Sequence, residues 1–175
     1  MDINTIYGYH GLPHEYVSES IAQQAIHPST KDNEWLGHGV YFFKYISDAK
    51  WWLSHDRYIH RTTAILRALL TYTSEQLLDL DDPAERERLE IFYNIAVQRQ
   101  AEAGESIKLL ENPSLHQKWC FVCNLIRAFQ PKIGVIMYTF PAKDNASHNK
   151  LFPGNRCQIC VSDQSIISEI KEVTP

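Results

Sequence analysis

The stretch Trp35–Phe43, WLGHGVYFF, places two glycines one residue apart directly before a run of aromatic and β-branched residues. Gly37 and Gly39 can adopt backbone angles that other residues avoid, and they allow another backbone or a ligand to come close. The residues that follow favour an extended chain, so the stretch predicts a tight turn leading into a short strand. Side chains alternate along a strand, so Tyr41 and Phe42 are expected on opposite faces, one lining a pocket and the other joining the core.

Two further stretches carry polar residues at the ends of predicted strands. The first is YGYHGL, Tyr7–Leu12, in which His10 and Gly11 close a first strand. The second is NRCQICVSD, Asn155–Asp163, a late strand with Gln158 near its start. A glycine-rich turn before a buried strand is by itself more typical of packing than of a ligand site. The combination of the three stretches favours a functional interpretation.

Together these stretches resemble the diphtheria-toxin-like ADP-ribosyltransferases, the superfamily that includes the poly(ADP-ribose) polymerases. That superfamily has His-Gly on a first strand, Gly-x-Gly-[Ile/Val]-Tyr-Phe on a second, and a glutamate on a late strand, and its triad is written H-Y-E. The matching residues here are His10, Tyr41 and Gln158, and Asp163 matches an aspartate often found five positions after the glutamate. Glutamine at the third position departs from the pattern, as does Leu12, where the family commonly has Ser or Thr.

The resemblance implies an α+β fold, an ADP-ribosyltransferase-like split mixed β-sheet with flanking helices and a donor cleft between its halves. A chain of 175 residues with 44% hydrophobic content suits one such domain, residues 1–175. Hydrophobic periodicity and the turn signals predict strands over 5–10, 40–43, 132–140 and around Gln158. The continuous apolar run 63–72 suits either a strand or a helix, and its flanking threonines and the resemblance favour a strand. They predict helices over 16–26, 83–103 and 113–129, and a further helix for which Ser47 is the expected N-cap.

The same resemblance implies NAD as the donor substrate and no metal. It gives Tyr41 the role of stacking on the pyridinium ring, an attraction worth about 0.5–2 kcal/mol for a cation on an aromatic face. Gly11 would pair with the carboxamide through its backbone, His10 would bond a ribose hydroxyl, and Gly39 would line the donor site. Gln158 can still form a hydrogen bond but has no negative charge and cannot act as a general base. Single transfer is therefore expected rather than polymer elongation.

Two polar loops are candidates for ligand contacts. The polar, turn-rich segment His27–Glu34 predicts a loop. The resemblance makes it a candidate lid over the donor, and the alternative is a solvated connector. Pro141–Arg156 is long, and loops of this length are usually functional or flexible. The resemblance places acceptor recognition in the longer loop, whose candidate contacts are Lys143, His148, Asn149, Lys150, Phe152 and Arg156.

Composition limits the other possibilities. The net charge is -4 and no basic run occurs, which disfavours tight nonspecific binding to nucleic acid but leaves a nucleic acid open as a substrate. The sequence shows no signal peptide and no apolar run of about 20 residues, so we expect a cytoplasmic protein without a membrane contact. Cys157 and Cys160 lie three apart on a predicted strand, which points them to opposite faces and favours buried thiols over a zinc site.

The expected function is mono-ADP-ribosylation of a macromolecular acceptor, either protein or nucleic acid (RNA or DNA), as in a bacterial toxin or phage-defence effector. A neutralising antitoxin would then be a partner. The alternative is a catalytically inactive module that binds NAD or ADP-ribose, favoured by Gln158 and Leu12. A third alternative is a related transferase that uses NAD to accept a phosphate from RNA, which would need a basic cluster that the sequence does not show.

Overall fold

The computed structural model describes residues 2–55, 58, 60–102, 113–141 and 154–173. Within these ranges, seven strands form one sheet and four helices flank it. The strands are β1 Ile3–Pro13, β2 Val40–Phe43, β3 Thr63–Thr73, β4 Leu77–Asp79, β5 Val135–Phe140, β6 Arg156–Val161 and β7 Ile167–Val173. The helices are α1 Val17–Gln23, α2 Ile46–Leu53, α3 Pro83–Glu102 and α4 Leu115–Phe129.

The sheet is mixed, with the order β4-β5-β6-β2-β1-β3-β7, and only β4 and β5 run parallel. The α+β class is therefore confirmed. Within the sheet, β1 and β2 pair at a single position, Tyr9 with Phe43. By contrast, β1 and β3 pair along the full length of β1, from Ile3 to Pro13. The β1–β2 gap, the opening where these two strands diverge beyond Tyr9, is the main irregularity of the sheet.

Alternation along the strands divides the core between the two faces of the sheet. The first cluster includes Leu12, Phe42 and Leu66. The second packs beneath α4 and includes Ile126 and Cys160. A third, smaller cluster lies under α2 and consists of the buried residues Phe43, Ala49 and Ile65, with Tyr9, Ile46, Trp52, Leu53 and Val173 packed against it.

The local predictions can be compared with the elements. The predicted strand at 63–72 is confirmed as β3, and the helix expected from 113 begins at Leu115 after Ser114. Ser114 is a true N-cap, since its hydroxyl accepts the backbone N–H of Gln117. Ser47 as an N-cap is wrong: Tyr45 precedes the helix in an extended conformation, and Ser47 already lies in the first turn.

Two strands were not predicted. The segment Leu77–Asp79 was expected to turn the chain, but it pairs in parallel with β5 and buries Leu78. The other is β7, an edge strand paired with β3. No helix in the described ranges is both long and apolar enough to cross a membrane.

Candidate functional site

The β1–β2 gap leaves part of one strand edge without a strand partner. The N–H of His14 bonds to the C=O of Thr62 at 2.9 Å, which continues the β1–β3 register and shows that the even residues of β1 point their backbone groups at β3. The odd residues Tyr9 and Gly11 therefore point theirs at β2. Tyr9 pairs with Phe43 of β2, but the β1–β2 ladder ends before Gly11. In the described part of the chain, the N–H and C=O of Gly11 thus face the gap without a β2 partner.

The opposite side of the gap is formed by Tyr41 of β2. The N–H of Lys44 bonds to the C=O of Cys157, so the even residues of β2 face β6 and Tyr41 turns its backbone groups toward β1. Its carbonyl oxygen lies 2.7 Å from Nδ1 of His10. The imidazole of His10 therefore occupies a place where the backbone of β1 would otherwise continue the ladder.

This contact fixes the tautomer of His10. A carbonyl oxygen can only accept a hydrogen bond, so Nδ1 carries the proton and Nε2 is left with its lone pair. Burial lowers the pKa of His10, which favours the neutral ring. The ring also meets Phe42 edge-on, with the ring centroids 6.0 Å apart. A fixed, neutral imidazole with a free acceptor nitrogen is suited to bind a hydroxyl group such as that of a ribose.

Packing against α2 requires a glycine at position 11, which also lies at the unpaired strand edge. A Cβ atom at this residue would lie 2.8 Å from Cγ of Leu53, because α2 crosses the sheet directly above it. The residue thus keeps its backbone close to α2 while its N–H and C=O face the gap. Such a pair, one donor and one acceptor, matches the hydrogen-bonding groups of a primary amide.

Tyr41 is held through its hydroxyl group. The hydroxyl donates to the C=O of Gly37 at 2.7 Å and accepts the N–H of Leu36 at 2.9 Å. Burial raises its pKa, so the phenol stays neutral. The hydroxyl therefore anchors the glycine turn to the strand, while the ring packs against the second cluster. Its stacking role stays a prediction.

The two glycines of the turn have packing reasons of their own. Gly37 has φ 81°, and a Cβ there would lie 2.6 Å from Oδ1 of Asn124. Gly39 has φ 155°, and a Cβ there would lie 2.7 Å from Sγ of Cys160. Gly39 also exchanges two backbone hydrogen bonds with Ser29, at 2.8 and 3.0 Å. The proposed role of Gly39 in donor binding stays a prediction beside this structural role.

Two residues of α4 that the sequence did not single out hold this turn. Asn124 accepts the N–H of His38 at 2.8 Å. Arg127 donates to the C=O of His38 at 2.8 Å and to the C=O of Cys160 at 3.0 Å. Its guanidinium therefore joins the turn to β6. Both residues lie more than eighty positions from the turn, and no local pattern indicates these contacts.

Gln158 lies on β6, opposite Phe43 of β2 and Tyr138 of β5. Tyr41 pairs with Cys160, so Tyr41 and Gln158 are diagonal neighbours on one face, about 7–8 Å apart by strand geometry. The amide of Gln158 has no hydrogen-bond partner among the described residues. The ring of His10 contacts Phe42 of the first cluster and so lies toward the other face, and its Nδ1 meets the backbone carbonyl of Tyr41 in the β1–β2 gap. The three predicted residues thus come from three adjacent strands, β1, β2 and β6.

Arg156 lies in β6 and is largely buried rather than free in the preceding loop. Its side chain is 13% exposed, its Cζ atom is 3.7 Å from the ring centroid of Trp51, and its Nε lies 3.8 Å from Oδ1 of Asp48. This arrangement makes Arg156 part of the contact between β6 and α2. The other acceptor-loop candidates, Lys143, His148, Asn149, Lys150 and Phe152, lie outside the described residues.

The loop His27–Glu34 runs beside the gap. Ser29 pairs with Gly39 at the β1-facing edge of the glycine turn, and its hydroxyl donates to Oε1 of Glu34 at 2.6 Å. These contacts tie the loop to the strand edge next to Tyr41. The position is compatible with a cover over the gap, and the lid role stays a prediction.

The cysteines are buried free thiols. Cys157 belongs to the first cluster and Cys160 to the second, which confirms that they point to opposite faces. Burial raises the pKa of Cys123 to about 12, so its thiol stays protonated. Among the residues that the structure describes, no group of three His, Cys, Asp or Glu side chains is placed to hold a metal ion.

Comparison with known proteins adds no independent assignment. No family model, curated protein or solved structure matches the chain. The functional argument therefore depends on the β1–β2 gap, with His10 and Gly11 on one side and Tyr41 on the other.

Proposed function

We propose that this protein is an NAD-dependent mono-ADP-ribosyltransferase with an ADP-ribosyltransferase-like split sheet, and that it modifies a macromolecular acceptor. The observation that carries the proposal is the unpaired backbone edge of Gly11 beside the fixed imidazole of His10. The carboxamide of nicotinamide has an acceptor oxygen and donor N–H groups, so it can pair with both backbone groups of one residue. The neighbouring ribose would then lie within reach of Nε2 of His10.

The reaction breaks the bond between C1′ of the ribose and the ring nitrogen of nicotinamide. The bonding electron pair returns to the ring, which becomes neutral, while positive charge develops on the sugar. A nucleophilic atom of the acceptor then bonds to C1′ and loses its proton. His10 and Gly11 would orient the donor, and positioning of this kind can supply several kcal/mol of the barrier reduction.

The side chain at Gln158 limits what the site can do. An amide can hold a ribose hydroxyl but cannot remove a proton from an incoming hydroxyl group. We therefore propose single transfer to an acceptor in the cytoplasm, which is a protein, an RNA or a DNA. If the protein acts as a toxin or a phage-defence effector, a neutralising antitoxin is an expected partner.

A second candidate is a catalytically inactive module that binds NAD or ADP-ribose. It is favoured by the amide of Gln158, which stands where the resembled family has a carboxylate. The two candidates share the donor site and differ in whether nicotinamide is released.

The experiment is to incubate purified protein with NAD labelled in the adenylate phosphate and a cell extract, then to measure released nicotinamide and transferred label. We expect both signals from the wild type, a strong loss in His10→Ala, and no loss in His60→Ala, a control at an exposed histidine. Loss of label after nuclease or protease treatment identifies the acceptor class. Binding of NAD without nicotinamide release supports the binding module, and neither binding nor release contradicts both candidates.

A further inference from the structure

A largely buried carboxylate lies next to Arg156, on the face of β6 that also carries Gln158. Asp48 is in the first turn of α2, with 15% of its side chain exposed, and its Oδ1 lies 3.8 Å from Nε of Arg156. Arg156 and Gln158 are two residues apart on β6, so they share one face about 7 Å apart along the strand. The carboxylate of Asp48 therefore lies against the side chain that precedes Gln158 on the same face of β6.

The path of α2 connects this carboxylate with the β1–β2 gap. Ala49 packs with Phe43 in the third cluster, and Leu53 covers Gly11. The helix thus runs from Arg156 on β6, across β2, to the strand edge at Gly11. Asp48 is at one end of this short helix and Leu53, which covers Gly11, is at the other, on the side of the sheet that Gln158 faces.

Asp48 is not well satisfied as a structural group. Within the part of the chain that the structure describes, its carboxylate accepts no hydrogen bond, and 3.8 Å to the Arg156 nitrogen is too long for one. Burial raises the pKa of Asp48, although the charge of Arg156 acts in the opposite direction. A carboxylate whose pKa is shifted in this way, next to a candidate site, is a candidate functional group.

We propose that Asp48 supplies the carboxylate that the site lacks at Gln158, an inference that rests on the proposed ADP-ribosyl transfer. As the bond between C1′ and nicotinamide breaks, the negative charge of Asp48 stabilises the positive charge on the ribose. When the acceptor nucleophile bonds to C1′, its proton passes to the Asp48 carboxylate and then to water. NAD and the acceptor are the only reactants, and neutral nicotinamide is the leaving group.

Arg156 is a positioning residue in this arrangement. Its guanidinium is held against the ring of Trp51, with Cζ 3.7 Å from the ring centroid, so the positive charge stays beside Asp48. A nearby cation favours the ionised form of a carboxylate that burial would otherwise neutralise. The residue expected from the sequence to contact the acceptor thus acts through Asp48.

The test compares the rate of nicotinamide release and the affinity for NAD in five proteins. These are the wild type, Asp48→Asn, Gln158→Glu, the double variant with both changes, and Glu85→Gln. The last is a matched control, since Glu85 is also in the first turn of a helix beside an arginine, Arg88, but lies on α3. Thermal unfolding confirms that each variant folds.

We expect Asp48→Asn to lower the release rate by about 10² to 10³, the usual cost of removing one charged group from a preorganised site. Its affinity for NAD should change less than about threefold, and its melting temperature should not fall. The double variant, Asp48→Asn with Gln158→Glu, should release nicotinamide at least about tenfold faster than Asp48→Asn alone. A carboxylate that only holds α2 on the sheet would not be replaced by a glutamate on β6.

Two outcomes overturn the inference in different ways. If the wild type releases nicotinamide and Asp48→Asn does so at the same rate, Asp48 is not the carboxylate, while the proposed function stands. If Asp48→Asn is slow but Gln158→Glu gives no recovery, Asp48 acts on the structure and not on the ribose. If none of the proteins, Gln158→Glu included, releases nicotinamide, the proposed function fails and the inference fails with it.

Discussion

Replacement of Arg127 tests how the glycine turn before β2 is held in place. Its guanidinium donates two short hydrogen bonds, at 2.8 Å to the C=O of His38 and 3.0 Å to the C=O of Cys160. A hydrogen bond from a charged group contributes about 1.5–3 kcal/mol, so Arg127→Ala should lower the free energy of unfolding by about 3–6 kcal/mol. That is a large share of the about 5–15 kcal/mol typical of a folded domain.

Arg127→Lys separates charge from geometry. A lysine keeps the positive charge but has no planar fork that can reach both carbonyl groups, so we expect about half of the loss seen with alanine. The measurement is equilibrium unfolding in urea, with Arg99→Ala in the last turn of α3 as a control expected to change stability by less than about 0.5 kcal/mol. A loss below about 1 kcal/mol in Arg127→Ala would refute this account of the turn.

Three further predictions concern the same region. Gly37→Ala should lower the free energy of unfolding by about 1–2 kcal/mol or more, because φ is 81° and the added Cβ meets Asn124; an unchanged urea midpoint would contradict this. Burial lowers the pKa of His10 from its ordinary 6.5, so the contribution of His10 to stability is complete above pH 6.5 and declines as the pH falls below that value. His10→Gln should therefore reduce the loss of stability between about pH 7 and pH 5. The four buried thiols should resist alkylation in the native protein near pH 8 and all react after denaturation, as mass spectrometry can show; rapid native labelling would contradict their burial.

The sequence was sufficient for elements whose evidence is local. The aromatic and β-branched run after Gly39 predicted β2. The apolar run at 63–72 suits a strand or a helix, and its flanking threonines and the family resemblance favoured the strand that the structure shows as β3. The strand Leu77–Asp79 is not predictable from its own residues, because only its parallel pairing with β5 makes it a strand. Ser47 failed as an N-cap because α2 begins one residue before it.

The sequence proposes the candidate site residues but does not give their geometry. The sequence indicates His10 and Tyr41 as candidates. The hydrogen bond between the His10 imidazole and the Tyr41 carbonyl depends on where the β1–β2 ladder ends, which the sequence does not show. Arg127 and Asp48 were beyond sequence reasoning for a similar reason. The partners of Arg127 in the turn lie 89 and 91 positions away, and Asp48 gains its significance only when α2 packs over β6.

The most direct measurement of the central claim is an amide NMR titration of the protein with nicotinamide. If the carboxamide pairs with the backbone edge of Gly11, the Gly11 N–H signal should shift strongly, while that of Gly134, already bonded to the C=O of Gln76 at 3.1 Å, should not. Nicotinic acid, whose carboxylate has no donor, should bind at least about tenfold more weakly. An unshifted Gly11 signal at saturating nicotinamide, or equal binding of the acid, would contradict the proposed donor site.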